Sequence, residues 1–395
     1  MWQDLKNIYH LLVAFLANIY YGFPSRKFIV IGVTGTDGKT TTTSLIYHIL
    51  RTAGKKALMI SSVGAIIDGK EYDVGFHVTT PSSFALQKFL KQAADAGLKY
   101  LVLETTSHAL DQYRVFGIHF NVGVLTNITH EHLDYHKTYD EYVKTKAKLL
   151  NMSKVAIVNR DDKSFVLLSS KFKVKSSKLK TYGMGKNADV NPYNFPFSTT
   201  LFGEFNKYNI LAAVSVCKAL DIENSKIRNG IKSFKPPKGR EDIVYKNSFS
   251  VMIDFAHTPN AFEVVLKDLR ANIKGRIIHV FGSAGSRDAT KRPLMGKISS
   301  KYADILILTA EDPRREPVEK IINEIASGIT DAKEVLRIYD RKKAIFEAIK
   351  MAKKGDFVLV TGKSHEKSMN YGHSEQPWDE YETVKSALEN IKHEN

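Results

Sequence analysis

IGVTGTDGKTTTT, residues 31–43, joins a β-branched run to a threonine-rich segment and ends its turn on Gly38-Lys39-Thr40. The common phosphate-loop pattern G-x-x-x-x-G-K-[ST] needs glycine five residues before Gly38, and Val33 stands there. Two readings are open: a phosphate cradle of different build, or a tight strand–helix turn. "KFIVIGVTG" before the loop reads as a buried strand, and "TTTTSLIYHILRTAG" after it as a helix closed by Gly54. That context favours the cradle. Backbone amides and the helix N-terminus bind an anion, Lys39 reaches phosphates, and Thr40 can ligate magnesium. Gly35, Thr36, Asp37, Gly38 and Thr41 complete the loop.

Strand and helix alternate outward from it. "KALMISSVG", "LKYLVLETTS", "FNVGVLTNIT" and "KVAIVNRDD" read as strands, and "SSFALQKFLKQAADAG" as a helix. This pattern predicts an α/β fold with a mainly parallel, doubly wound sheet. Ligands of such sheets sit at the carboxyl ends of strands, where Gly35, Gly38, Glu104, Thr126 and Asn127 fall. "KSFKPPKGRED", residues 232–242, carries Pro236, Pro237 and Gly239 and reads as a linker. Alternation then resumes in "SVMIDFAHTP", "GRIIHVFGSAG", "ADILILTAEDP" and "GDFVLVTGKSHE". The sequence therefore divides into an apolar N-terminal helix (1–27), a central domain (28–234) and a C-terminal α/β domain (235–395).

The chain has 395 residues, 43% hydrophobic and 25% charged, the balance of a globular protein with a sizeable core. Its single cysteine, Cys217, excludes an internal disulfide and fits a reducing, cytoplasmic setting. Cys217 sits in the apolar run "ILAAVSVCKAL" and reads as a buried thiol. The net charge of +16 is spread over dispersed lysines. No arginine-rich arm, RNA-binding aromatic signature or zinc-finger spacing accompanies it, so a solvated basic surface is favoured over nucleic-acid binding. "IYHLLVAFLANIYYGF", Ile8 to Phe23, is apolar, contains His10 and Asn18, and is shorter than the roughly 20 residues that span a bilayer. It reads as a helix that packs on the protein or a partner, or lies at a membrane surface, with packing favoured.

Three further features carry chemistry. Glu104 ends the strand "YLVLE", where a carboxylate can hold a metal near phosphates or cap a helix. "THEHLDYH", Thr129 to His136, concentrates three histidines and two acids, suited to metal or phosphate chemistry or to a solvated loop. In "YDEYVKTKAKLL", Tyr139, Tyr142, Val143, Leu149 and Leu150 mark an apolar helical stripe on which Lys146 falls. Lys144 and Lys148 lie about 200° round on either side. A lysine on a buried face either snorkels outward or is paired or modified. A neutral buried amine can take up carbon dioxide as a carbamate.

Together these residues resemble a family. "GVTGTDGKTTT", "HVTTPSS", "LETTSHALDQYR", "TNITHEHLDYHKTYDEYVKTKAKLL", "FNKYNILAA", "GRED", "DFAHTPNA", "GSRDATKRPLMG", "EDPRREP" and "GKSHE" follow in the order found in the Mur ligases, in particular the UDP-N-acetylmuramoyl-tripeptide synthetase branch. The resemblance covers about residues 28–390. The family's shorter T-G-T-x-G-K-T loop removes the objection raised by Val33. It implies a central ATP-binding P-loop-type domain and a Rossmann-like C-terminal domain. It also implies an ATP-dependent amide ligase of peptidoglycan synthesis: an acceptor carboxylate attacks the γ-phosphate, and an amine displaces phosphate from the resulting acyl phosphate.

By motif position, the resemblance implies catalytic roles for Lys39, Glu104, His132 and Lys146. Two magnesium ions are implied, one on Thr40 and Glu104, the other served by Glu104, His132 and carbamylated Lys146. Asn206 and Asn209 match the adenine-side motif. Arg240, Asp254 and His257 approach the nucleotide from the C-terminal domain, which implies closure around ATP. The muramoyl-peptide acceptor lies on Thr79, Thr80, Ser107, Gln112 and Arg114. The amino acid meets Arg287, Asp312, Arg314, Gly362 and Glu366. Arg314 is the residue that pairs with the distal carboxylate of meso-diaminopimelate, and Glu366 pairs with its ammonium.

Three departures stand out. Asp312 replaces the usual asparagine, placing a second carboxylate near the ligand's own. Ser364 replaces glycine in "GKSHE". About 27 residues precede the first strand, where the family carries an N-terminal domain of roughly a hundred residues that grips the UDP end. This implies a uridine contact that is missing or supplied by a partner, with the N-terminal helix a candidate for a membrane or protein contact. The alternatives are a ligase acting on another wall peptide or a polyglutamate-type acceptor, and a non-catalytic ATP-binding scaffold.

Overall fold

A computed structural model describes residues 2–75, 79–129, 133–170, 179–331 and 334–394. It divides into two compact units, Met1–Lys235 and Pro236–Asn395.

The first unit opens with helix α1 (Trp2–Tyr21), earlier at its start than the apolar run suggested. It stops at Gly22 and at Phe23, whose φ of 52° is left-handed. Then come β1 (Ile29–Thr34), α2 (Lys39–Thr52), β2 (Ala57–Ser61), β3 (Gly64–Ile67), β4 (Lys70–Tyr72), α3 (Ser83–Asp95), β5 (Tyr100–Glu104), α4 (Ser107–Asp111) and β6 (Phe120–Leu125). A short α5 (Leu133–His136), α6 (Tyr139–Asn151), β7 (Ser153–Asn159), α7 (Ser164–Ser170), β8 (Leu179–Tyr182), α8 (Glu204–Ala219) and α9 (Asn224–Ser233) complete it.

The eight strands lie in the order β4-β3-β2-β5-β1-β6-β7-β8. All neighbours are parallel except at the β2-β3-β4 edge. β1 sits between β5 and β6, so its carboxyl end opens at the middle of the sheet. Period-2 alternation divides the core. Ile31, Val33, Val102 and Val124 face Leu45, Ile49 and Ile210 from α2 and α8. Val30, Leu101, Leu103 and Phe120 face Leu86 and Leu90 of α3 and Leu149 of α6. Strands covered on both faces are necessarily apolar throughout, which is why β1 and β5 read clearly in the sequence.

The second unit holds β9 (Asp242–Lys246), β10 (Ser250–Asp254), α10 (Pro259–Asn272), β11 (Ile277–Phe281), α11 (Lys291–Tyr302), β12 (Ile305–Leu308), α12 (Val318–Ala326) and β13 (Glu334–Arg337). It ends with α13 (Arg341–Met351), β14 (Phe357–Thr361), a hairpin of β15 (Ser368–Tyr371) and β16 (Ser374–Pro377), and α14 (Glu380–Glu394). Its six-stranded sheet runs β13-β12-β11-β14-β10-β9, parallel except for β9. Val251, Ile253, Val280, Ile307 and Val360 pack beneath Ile345 and Ile349 of α13 and Val384 of α14. Both units are therefore α/β with mainly parallel sheets.

Candidate active site

The glycine loop is built by close approach. Gly38 caps α2 with φ 77°, and a Cβ there would overlap Asn209 Oδ1. Gly35 has φ 152°, and a Cβ would overlap the Thr126 hydroxyl. Only glycine fits both spaces. The loop is pinned from β6: Thr36 N donates to Asn127 O (2.9 Å), Asp37 N to Asn127 Oδ1 (2.9 Å), and Thr126 Oγ1 to Asp37 O (2.7 Å). Lys39 Nζ folds back to donate to Thr36 O at 2.6 Å. Thr41 is buried in the first turn of α2.

Asn206 and Asn209, more than 160 residues away in sequence, are drawn to the same place. Asn209 Nδ2 donates to Asn206 Oδ1 (2.9 Å), Thr42 Oγ1 donates to Asn209 Oδ1 (3.2 Å), and Asn206 Nδ2 donates to Phe202 O (2.6 Å). In this geometry the two amides brace the loop from beneath.

Glu104 ends β5 beside this loop, fully buried. Oε1 accepts from Thr40 Oγ1 at 3.2 Å and Oε2 from Ser62 N at 3.1 Å, while Thr40 and Ser62 hydroxyls are 2.9 Å apart. Among the described residues no Lys, Arg or His pairs with Glu104. A buried carboxylate met only by neutral donors is costly to hold charged, and an external cation placed against it would offset that cost. Its oxygen donors, with a threonine hydroxyl alongside, suit the hard oxygen preference of magnesium, which keeps most of its shell as water and phosphate. The residues present therefore fit the implied ion. Ser62, after β2, belongs to no motif singled out in the sequence, and only the fold reveals it.

Lys146 is buried on α6, although spacing alone favoured a lysine that snorkels outward. Its Nζ donates to Gly35 O at 2.6 Å and lies 4.5 Å from the centre of the Tyr142 ring. It does not snorkel. Lys144 is exposed, and Lys148 is half-buried and paired with Asp111 at 3.1 Å. His132, with His130 and Glu131, lies outside the described residues.

Three of the acceptor candidates, Arg114, Thr80 and Gln112, are connected to one another. Arg114 Nη1 donates to Thr80 O (3.0 Å), and its Nη2 and Nε donate to Gln112 Oε1 (2.7 and 3.1 Å). Thr80 Oγ1 donates to Glu104 O at 3.0 Å, tying this group to the carboxylate end of β5. Ser107 Oγ lies 3.0 Å from His136 Nε2 in a buried contact. Thr79 is half-buried next to Thr80. Desolvation lowers the Arg114 pKa from its usual value.

In the second unit, Asp254 ends β10. Both its oxygens hold backbone: Oδ2 accepts from Glu241 N and Oδ1 from Ala256 N, each at 2.7 Å. The Arg240 guanidinium stacks 4.3 Å from the Phe255 ring centre, and His257 Nδ1 donates to Phe255 O at 2.9 Å.

Asp312 is buried against Lys363. Lys363 Nζ donates to Asp312 Oδ1 (2.8 Å) and to Glu366 Oε2 (2.6 Å), and Asn370 N also donates to Asp312 Oδ1 (2.9 Å). Arg314, in the left-handed region at φ 54°, is fixed by its N–H to Asn370 O. Gly362, at φ 105°, leaves no space for a Cβ beside the Glu311 carboxylate. Ser364 also takes a left-handed φ, 51°, a conformation natural to the glycine it replaces; its hydroxyl offsets the strain by donating to Gly239 O at 2.8 Å. Arg287 lies in the segment following β11.

Residues 33–217 match the Mur ligase middle domain, and residues 239–364 the Mur ligase, glutamate ligase domain. The UDP-N-acetylmuramoyl-L-alanyl-D-glutamate–2,6-diaminopimelate ligase of Aquifex aeolicus is 41% identical over 94% of this chain and 80% of its own length. A ligase of the same description from Clostridium acetobutylicum is 37% identical over the same shares. A solved structure of such a ligase, 29% identical, superposes with a TM-score of 0.62 over 93% of this chain and 79% of that one. A Mycobacterium tuberculosis folylpolyglutamate synthase complexed with ADP and AMPPCP shares the fold at 17% identity, TM-score 0.71, over 96% and 95% of the two chains. With both domain families matched in order and 41% identity to a full-length relative, the chain belongs to the Mur ligase family.

Proposed function

We propose that this chain is an ATP-dependent, ADP-forming ligase that joins 2,6-diaminopimelate to UDP-N-acetylmuramoyl-L-alanyl-D-glutamate in peptidoglycan synthesis. The observation that carries the reading is the convergence of the Gly35–Thr40 loop, Glu104 and Lys146 at the ends of β1 and β5. It occurs in a chain 41% identical to a diaminopimelate ligase. The 17–20% identity to folylpolyglutamate synthase and to a pseudomurein peptide ligase gives the other acceptors less support.

The physical problem is to bring an anionic acceptor to anionic ATP. The amides at the start of α2 and the Lys39 ammonium take the phosphates. Thr40 and Glu104 would hold one magnesium ion, and Glu104, His132 and Lys146 would serve a second; the ions would supply positive charge that offsets that of the phosphates. For Lys146 to serve as an anion, its neutral amine adds carbon dioxide and releases one proton, leaving a carbamate. Arg114, Gln112, Ser107, Thr79 and Thr80 receive the acceptor. The acceptor carboxylate attacks the γ-phosphorus and ADP leaves. The amine then attacks the acyl carbon, loses a proton, and expels phosphate. Arg314 takes the distal carboxylate of the amino acid and Glu366 its ammonium, with Arg287, Asp312 and Gly362 shaping that end. Asn206 and Asn209 hold the nucleotide loop, and Arg240, Asp254 and His257 are assigned to the nucleotide by motif position. The reaction draws on cytoplasmic ATP.

The test is ATP-dependent phosphate release with mass spectrometry of the product. UDP-N-acetylmuramoyl-L-alanyl-D-glutamate is offered with meso-diaminopimelate, lysine, ornithine or no amino acid. The expected product is the diaminopimelate tripeptide. Turnover with none of them, by protein that binds ATP, refutes the substrate assignment.

A further inference from the structure

α1 is rich in apolar residues from Ile8 onward but is packed on only one side. Ala14, Ala17 and Asn18 are buried, and the Asn18 amide is fixed to Ala14 O (2.8 Å) and to Phe116 O (2.9 Å) in the segment after α4. Asn7 donates to Asp111 on the same side. At 100° per residue, Ile8, Leu12, Phe15, Leu16, Ile19 and Tyr20 fall within an arc of about 140° on the other side. All six are exposed, Leu12 by 56% and Tyr20 by 75%. The arc contains no charged residue among those whose side chains are described. An apolar stripe of this extent on a helix already anchored by its opposite face marks a contact surface.

A second feature adjoins the C-terminal end of α1. Arg26 and Lys27 lie in the short turn Pro24–Lys27 that follows it after Gly22 and Phe23 and, with Lys55, Lys56 and Lys99, line a depression of about 550 Å³. Arg26 stacks on Phe23, and among the described residues no carboxylate pairs with any of the five. Five uncompensated cations beside an exposed apolar helix complement a surface that is greasy and negative. A second copy of the chain suits the patch poorly, because a symmetric pairing presents the same cations to each other. No helix is long and apolar enough to cross a membrane among the described residues.

We propose that the exposed face of α1 and the basic depression at its end seat this protein on an anionic phospholipid surface, with α1 lying in the plane of the interface. The exposed arc enters the acyl boundary, and the five cations meet the headgroup phosphates. The opposite face stays on the protein and holds the helix flat.

The full chain is sedimented with vesicles of phosphatidylcholine alone and of phosphatidylcholine mixed equally with phosphatidylglycerol. Binding to the mixed vesicles at least about tenfold stronger than to the neutral ones is expected. Leu12→Glu with Leu16→Glu removes it, and Lys27→Glu with Lys56→Glu lowers it about tenfold or more, with wild-type circular dichroism and phosphate release retained. A wild-type chain that ignores both vesicles, or binds them equally, overturns the proposal. So does a dimer that the leucine pair dissociates in sedimentation equilibrium without any vesicle binding. Neither result bears on the ligase reading, which the phosphate release reports separately.

Discussion

Glu104→Gln separates a metal-holding carboxylate from a structural one. Glutamine keeps the shape and nearly all the hydrogen bonds: its carbonyl can accept from Ser62 N, and its amide can donate to Thr40 Oγ1, which then donates to the Ser62 hydroxyl 2.9 Å away. What is lost is the buried negative charge, which among the described residues has no cationic partner. Removing an unpaired buried charge relieves desolvation, so without ligand the variant melts at the wild-type temperature or a few degrees above it. With magnesium and nucleotide the order reverses. At a hundred times Kd, ligand stabilises the wild type by about 2.7 kcal/mol. That is roughly 5–11 °C for a unit the size of Met1–Lys235. Glu104→Gln loses most of this shift, and its phosphate release falls at least about a hundredfold. Differential scanning fluorimetry with and without magnesium-ADP, alongside the phosphate assay, reads both quantities. A variant that melts several degrees lower without ligand yet keeps the full nucleotide shift would refute the reasoning, because Glu104 would then be a structural acceptor.

Lys146→Ala should lower phosphate release by at least about a hundredfold; partial recovery with added acetate identifies a missing anion, whereas recovery with methylamine identifies a missing ammonium and removes the carbamate. His279 is buried between Ser299 and Thr361, and burial followed by the Arg341 charge pushes its pKa down to about 3. The unfolded chain therefore binds the proton first: the neutral imidazole's stability is whole above about pH 6.5 and drains as pH falls towards 3. Acidification from 6.5 to 5 costs about 2 kcal/mol, and urea titrations of His279→Gln, which carries no group that titrates in this range, should show that part of the slope gone. Lys363→Met removes the ammonium shared by the Asp312 and Glu366 carboxylates and should destabilise the second unit by about 3 kcal/mol, read by urea unfolding with Trp378 fluorescence; unchanged stability would mean the pair is not buried as described.

The sequence exposed what local pattern can carry. β1, β5, β6 and β14 are covered on both faces, so their apolar runs are continuous, and the Gly-Lys-Thr turn sits where a parallel sheet opens. Lys146 was placed on the buried stripe by helical spacing alone. The β3–β4 hairpin had a readable signal, Asp68-Gly69 with both φ angles positive, but its strands of four and three residues are too short to show alternation. No local pattern leads from Gly38 to Asn209, or from Thr40 to Ser62, because those contacts exist only once α8 and β2 have docked. The bare side of α1 was equally hidden: the run reads as a helix that packs on the protein or a partner or lies at a membrane surface, and only packing shows which half is covered.

Asp312 shows how a charge read alone differs from the same charge in place. From the sequence, a carboxylate where asparagine is usual repels a ligand carboxylate. In the fold, Lys363 Nζ sits between Asp312 and Glu366, within 2.8 and 2.6 Å. One ammonium shared between two carboxylates cannot neutralise both. Asparagine at 312 would leave Lys363 to Glu366 alone and weaken the hold of Glu366 on a substrate ammonium. Aspartate shares Lys363 and so leaves Glu366 more of its charge for that ammonium. On the proposed roles, Asp312→Asn therefore raises the KM for diaminopimelate, by about fivefold if the change is worth about 1 kcal/mol, with kcat little altered. The repulsion reading demands the opposite sign. A KM that falls in Asp312→Asn would show that Lys363 does not shield the ligand carboxylate from Asp312.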